Sequence, residues 1–156
     1  MTKYLAAAAA QAFAIGLFTT AAMAGSCPED KILSEARDLK QAPTIAVGRQ
    51  VLGEVDLTGW RDMGNFKLRT RRLIIDVNGV VPTHNHGDRP SIVYILQGEI
   101  YEHNAYCAEP ILHKTGDVAV ESGPGHIHWW ENTSDEPVVV LSSDVIPFNG
   151  NQSDDM

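Results

Sequence analysis

The stretch Gly79-Val80-Val81-Pro82-Thr83-His84-Asn85-His86, running on towards Gly98, decides how the rest of the chain is read. A second element follows, Gly123-Pro124-Gly125-His126-Ile127-His128-Trp129-Trp130-Glu131-Asn132, and together they hold four of the six histidines. In an extended strand residues i and i+2 share a face, so His84 and His86 aim one way. His126 and His128 can aim at the same interior from another strand. Neutral imidazole is the commonest metal ligand, and three of them from two adjacent strands hold a first-row ion while leaving positions open.

Outward from these elements, strand-like runs alternate with turn residues. The runs are Ile45 to Leu57, Phe66 to Asp76, Ser91 to Leu96, Glu99 to His103, Ile111 to His113, Asp117 to Glu121, His128 to Glu131 and Pro137 to Val145. Thr58-Gly59, Asn78-Gly79, Gln97-Gly98, Thr115-Gly116 and Thr133 to Glu136 fall between them. Short strands with Gly/Asn/Asp punctuation predict an all-β sandwich or barrel. Leu68, Leu73 and Ile75 in one strand, and Val138, Val140 and Leu141 in the last, are inward candidates. Arg69-Thr70-Arg71-Arg72 reads as a solvated face. Only Gly25 to about Gln41 has helical spacing, through Ile32, Leu33, Ala36 and Leu39, which predicts a short N-terminal helical arm ended by Pro43.

Lys3, the apolar run Leu5 to Thr20 and Ala22-Met23-Ala24 have the pattern of a signal peptide cleaved after Ala24. The expected division is therefore 1–24 signal peptide, 25–59 arm and leading strand, 60–147 barrel and 148–156 flexible acidic tail. The expected location is periplasmic or secreted, with no membrane span in the mature form. Cys27 and Cys107 then meet an oxidising compartment, and a disulfide pinning the arm is one reading. A lipid-bearing Cys27 and two separate thiols are the others. The formal net charge of −8 argues against nucleic acid as a partner.

The first element resembles the first motif of the cupin superfamily: glycine, a short spacer, H-X-H and a closing glycine, here Gly79, His84, His86 and Gly98. The second resembles the second cupin motif, with Gly125 as its glycine, His128 as its ligand and Asn132 as its closing asparagine. The resemblance spans roughly residues 60 to 145. It implies a double-stranded β-helix, a small jelly-roll barrel with one transition metal ion (Fe, Mn, Zn, Ni or Cu) on His84, His86 and His128. Cupins usually carry a glutamate seven residues before the closing glycine, and here that place is Ser91. His126, Asp88, Glu102 or water are the candidates for the gap. Gly123 also stands where the second motif has proline.

Arg89, Trp130 and Tyr94 are candidate substrate contacts, Arg89 as a bidentate clamp for a carboxylate. Of the two neighbouring tryptophans one is expected to face inwards and Trp129 or Trp130 to face the opposite way. His103 and His113, outside both motifs, read as surface or strand-end residues. The function expected is a metal-dependent dioxygenase or related oxidoreductase on a small organic molecule. A non-catalytic binding or sensing module is the rival, and a barrel filled by its own side chains a third reading. Cupins often pair their barrels, so a homodimer is expected, with Ile45 to Leu57 able to swap.

Overall fold

A computed structural model describes residues 25–148. The segment read as a signal peptide and the tail beyond Phe148 lie outside the described residues. Eight strands make the fold: β1 (Ile45–Asp56), β2 (Phe66–Asn85), β3 (Ser91–Gln97), β4 (Glu99–Asn104), β5 (Ile111–Lys114), β6 (Val118–Glu121), β7 (Ile127–Glu131) and β8 (Val138–Pro147). They pair in the order β5-β4-β7-β2-β8-β3-β6, with β1 added on β2. All pairings are antiparallel, and the sheet curls into a nearly closed jelly-roll barrel. Among the described residues no helix is long and apolar enough to cross a membrane.

β2 organises the barrel. Its first half pairs with β8 (Phe66 to Ile75), and its second half with β7 (Val80 to Asn85). The expected turn at Asn78-Gly79 is instead a bend inside this one strand. Asn78 takes a left-handed φ of 59°. A Cβ on Gly79 would lie 2.7 Å from the Asp76 carbonyl oxygen, so only glycine fits the bend. Asn132, from the second motif, holds the bend in place. Its buried Nδ2 donates to the carbonyls of Ile75, Asp76 and Glu136 at 3.0, 3.1 and 2.8 Å.

The interior has an apolar end and a polar end, and the change occurs along each strand. β2 points Leu73 and Ile75 inwards at one end and Arg69 and Arg71 at the other. β8 does the same with Val138 and Val140, then Ser142 and Asp144; β3 does so with Val93 and Ile95, then Ser91. The apolar end, joined by Val81, Ile100, Ala119 and Trp130, is the core. Burying each of its larger side chains contributes about 1.5–3 kcal/mol.

Three expectations change here. Arg69 and Arg71 are buried, not solvated, because period two carries them to the same face as Leu73 and Ile75. Leu68, an odd number of residues from Leu73, is 39% exposed for the same reason. The helical arm is absent: the described N-terminal segment has a single 3-10 turn, Glu29–Lys31. It runs extended because neighbouring backbone offers better partners than its own helix would. Leu33 N–H donates to Tyr106 O and Arg37 N–H to Ala105 O, both at 2.9 Å. Cys27 and Cys107 form a disulfide across a sequence separation of 80 residues that ties the arm down. A crosslink over so long a loop typically stabilises by about 2–4 kcal/mol.

Candidate metal centre

His84 sits directly opposite His128 in the β2–β7 ladder, after a register shift between Val81 and His84. His86 follows just past the end of β2, where its backbone N–H donates to His126 O at 2.9 Å. The three imidazoles meet through one edge each. His128 Nε2 lies 3.1 Å from His84 Nε2 and 3.0 Å from His86 Nε2. Nitrogens sharing one first-row ion at about 2.0–2.2 Å stand at separations of this size.

The opposite edges show which nitrogens carry protons. His84 Nδ1 lies 2.7 Å from Pro82 O and His86 Nδ1 2.8 Å from Arg89 O. A carbonyl oxygen only accepts, so each Nδ1 is the N–H and each Nε2 presents a lone pair. His128 Nδ1 lies 2.8 Å from the ionised Glu102 Oε1, and this charge-assisted bond places a proton there too, although the Trp130 N–H also approaches at 3.2 Å. Three neutral rings so held turn three lone pairs on one point. That arrangement is repulsive unless a cation or a proton occupies it, so the residues fit a metal ion.

The electrostatics agree. Burial, reinforced by His128, pushes His84 down to about 2 and His86 down to about 3, so both stay neutral ligands. Burial opposes charge on His128 as well, but Glu121 and Glu102 outweigh it and raise its proton affinity. In a metal-free chain a proton on His128 is thus the rival occupant, and metal uptake displaces it.

Glu102 on β4 does not fill the Ser91 gap but supports His128 from behind. Its Oε2 accepts from His113 Nε2 at 2.9 Å, and its Oε1 accepts from Asn104 Nδ2 at 2.9 Å as well as from His128. Burial would raise its pKa, but the bonds from His113 and His128 hold it below the usual carboxylate range. His113, Glu102, His128 and His84 therefore run as a chain across the neighbouring strands β5, β4, β7 and β2. His113 is fully buried rather than at the surface. A carboxylate on the far nitrogen of a metal-ligating imidazole fixes its orientation and basicity. Glu102→Gln is expected to weaken metal affinity about 10–100-fold while the fold persists. Competition against a chelator of known affinity measures this, and an unchanged affinity would show that Glu102 does not tune His128.

A carboxylate stands across the ladder from Ser91. Ser91 on β3 pairs directly with Glu121 on β6. Glu121 Oε2 lies 3.2 Å from His86 Nε2, and its Oε1 lies 3.7 Å from His128 Nε2. Burial raises its pKa. Sequence reasoning missed Glu121 because Val118 and Val120 look like the inward residues of β6. The structure buries Ala119 and Glu121 and leaves Val118 and Val120 50% and 67% exposed.

The other sequence candidates separate clearly. His126 stands on the Nδ1 side of His128, 3.8 Å from Glu102 Oε1, in a second potential ligand group with those two residues. Arg89 is 2% exposed and lines a cavity of about 40 Å³ together with His84, His86, Glu121 and Trp130. Trp129 faces the other way, stacked on His103 at 3.8 Å with Lys40 of the arm over its ring. Tyr94, by contrast, lies on the outer face of β3, 40% exposed, and is no part of the cavity. Asp88 favours the charged form of the neighbouring Arg89 guanidinium.

Residues 71–144 match a family model described as a cupin domain. A comparison with curated proteins finds no match. Among solved structures, a cupin-2 domain from Rhodospirillum rubrum superposes with a TM-score of 0.51 at 20% identity, covering 70% of this chain and 66% of the other. A conserved protein with a double-stranded β-helix domain from Klebsiella pneumoniae gives 0.50 at 22% identity, covering 74% and 85%. The shared barrel shows a cupin jelly-roll as the fold of this chain, and the segment similar to a cupin domain lies within it.

Proposed function

We propose that the protein is an exported cupin that holds one first-row transition ion on His84, His86 and His128, with Glu121 as the adjoining carboxylate. The observation that carries this reading is the convergence of three Nε2 atoms whose partner nitrogens are committed as donors. The ion would supply Lewis acidity and a binding point for dioxygen or substrate. The chain's own residues do the rest. Pro82 O, Arg89 O and Glu102 orient the rings, and Trp130 and the apolar end of the barrel exclude water. Glu121, beside His86, is placed to take or return a proton at its carboxylate. The activity proposed is that of a dioxygenase or related oxidoreductase on a small molecule.

Elemental analysis of protein isolated without chelator is expected to give about one transition ion per chain. A metal-free preparation would sink the reading. The second reading, a small-ligand binding or sensing module without turnover, is favoured by the tightness of the cavity, which leaves little room for an organic substrate. Oxygen uptake by the metal-loaded protein separates the two. Export rests on the leader-like N-terminus and is supported by the Cys27–Cys107 disulfide, which an oxidising compartment permits. Pairing of two barrels belongs to the same proposal; Ile92, Tyr94, Val118 and Val120 share one exposed apolar face that favours it.

A further inference from the structure

Arg89 is among the largest fully buried side chains of the described residues, and none of their carboxylates accepts a hydrogen bond from its Nε or Nη1. Its Nε and Nη1 are buried and have no hydrogen-bond partner. The nearby acid is already engaged: Asp144 takes Arg69 through two bonds of 3.1 and 2.9 Å and Arg71 through one of 3.0 Å. Glu121 turns its oxygens to His86 and His128. Three guanidiniums, Arg69, Arg71 and Arg89, thus share the polar end of the barrel with two carboxylates, Asp144 and Glu121. A divalent ion on the histidines would add to the positive excess. A buried charge without a partner is costly, and a fold retains one where something else supplies the counter-charge.

We propose that the cavity is a binding site for a small oxyanion, a carboxylate of about three or four heavy atoms, held by the Arg89 guanidinium on the side facing the histidines. Size sets the class. A water needs roughly 10–15 Å³ of cavity, so about 40 Å³ admits a formate-sized ion and not an aromatic or a sugar. The free donors set the sign of the ligand, since Nε and Nη1 donate and cannot accept. The apolar walls, Leu73, Val93 and Val140, leave the guanidinium as the recognition element and make the contact strong in a site with little water. The proposal deepens the metal-centre reading by naming the ligand that shares the cavity, yet Arg89 binds the anion whether or not an ion is present.

Formate is the probe and neutral formamide its isosteric control, in a buffer free of other carboxylates. Formate is expected to raise the melting temperature of the metal-free wild-type chain in a saturable way, and formamide is not. In Arg89→Met the formate affinity is expected to fall at least tenfold. Metal content is expected to stay unchanged, because His86 leans on the main-chain carbonyl of residue 89 and not on its side chain. Without formate, Arg89→Met is expected to melt no lower than wild type, since an unpaired buried charge has been removed; a purely structural arginine would give the opposite. Arg89→Lys keeps the charge and is expected to retain part of the binding. In cobalt-loaded protein, formate is expected to shift the visible spectrum at concentrations at least tenfold lower for wild type than for Arg89→Met. Equal formate binding by wild type and Arg89→Met, or equal binding of formate and formamide, overturns the proposal. A chain that takes up no metal but binds formate through Arg89 overturns the metal reading alone.

Discussion

His128→Ala is expected to abolish metal retention, lowering the ion content from about one per chain to near zero. The loss exceeds the about 10–100-fold that follows removal of an orienting partner, because a ligand itself is gone. His128 stands at the centre of the constellation: its Nε2 lies within 3.1 Å of the Nε2 atoms of both His84 and His86, and its Nδ1 carries the Glu102 bond. The same substitution leaves the buried Glu102 carboxylate one donor short, so a fall in stability accompanies the loss of metal. His126→Ala is the control. Its imidazole lies on the far side of His128, and metal content measured by elemental analysis is expected to remain near wild type. If His126→Ala empties the protein and His128→Ala does not, the ion belongs to the second group, Glu102, His126 and His128.

Asp144→Ala is expected to produce the largest loss of stability of any single substitution at the polar end. Asp144 is 1% exposed, and Arg69 and Arg71 are both 4% exposed, so the carboxylate compensates two buried guanidiniums. Burial already pushes Arg71 down to about 10 against the pull of Asp144. Removing one partner of a buried ionic group costs about 3–5 kcal/mol, which corresponds to a drop of about 10–20 °C in melting temperature for a domain of this size. Calorimetry or denaturant unfolding measures it. Adding Arg69→Met to Asp144→Ala is expected to recover part of the loss, because a bare charge is worse than none. A melting temperature within a degree or two of wild type would show that the arginines find other compensation.

The two motifs made the barrel and the three converging histidines legible, because glycine, histidine and asparagine at those spacings answer to local geometry. Gly79 is needed for a bend, Asn132 caps that bend, and His84 faces His128 in register. What stayed hidden depends on long-range partners. Nothing near Arg69 or Arg71 in the sequence announces Asp144, although alternation puts both arginines on the face of Leu73. The same bias hid Glu121 behind Val118 and Val120. The arm was misread for a different reason: its periodicity is helical, but a disulfide and the backbone of Ala105 to Ala108 offered competing bonds.

The place of Glu121 on β6, across the ladder from Ser91, bears on the kinetics of the proposed centre. His84 and His128 ride on β2 and β7, strands bonded on both flanks, whereas Glu121 ends a four-residue strand at the rim of the sheet, bonded on one flank only. Short edge strands open locally at far lower cost than interior ones. In the proposed centre His84 and His128 would therefore be held by interior strands, whereas Glu121 would be held by the rim of the sheet. A glutamate on β3 would instead stand on a strand bonded on both flanks, like His84 and His128. With its carboxylate one strand further out, the proposed centre would meet local opening of the sheet first at Glu121 and last at the histidines of β2 and β7.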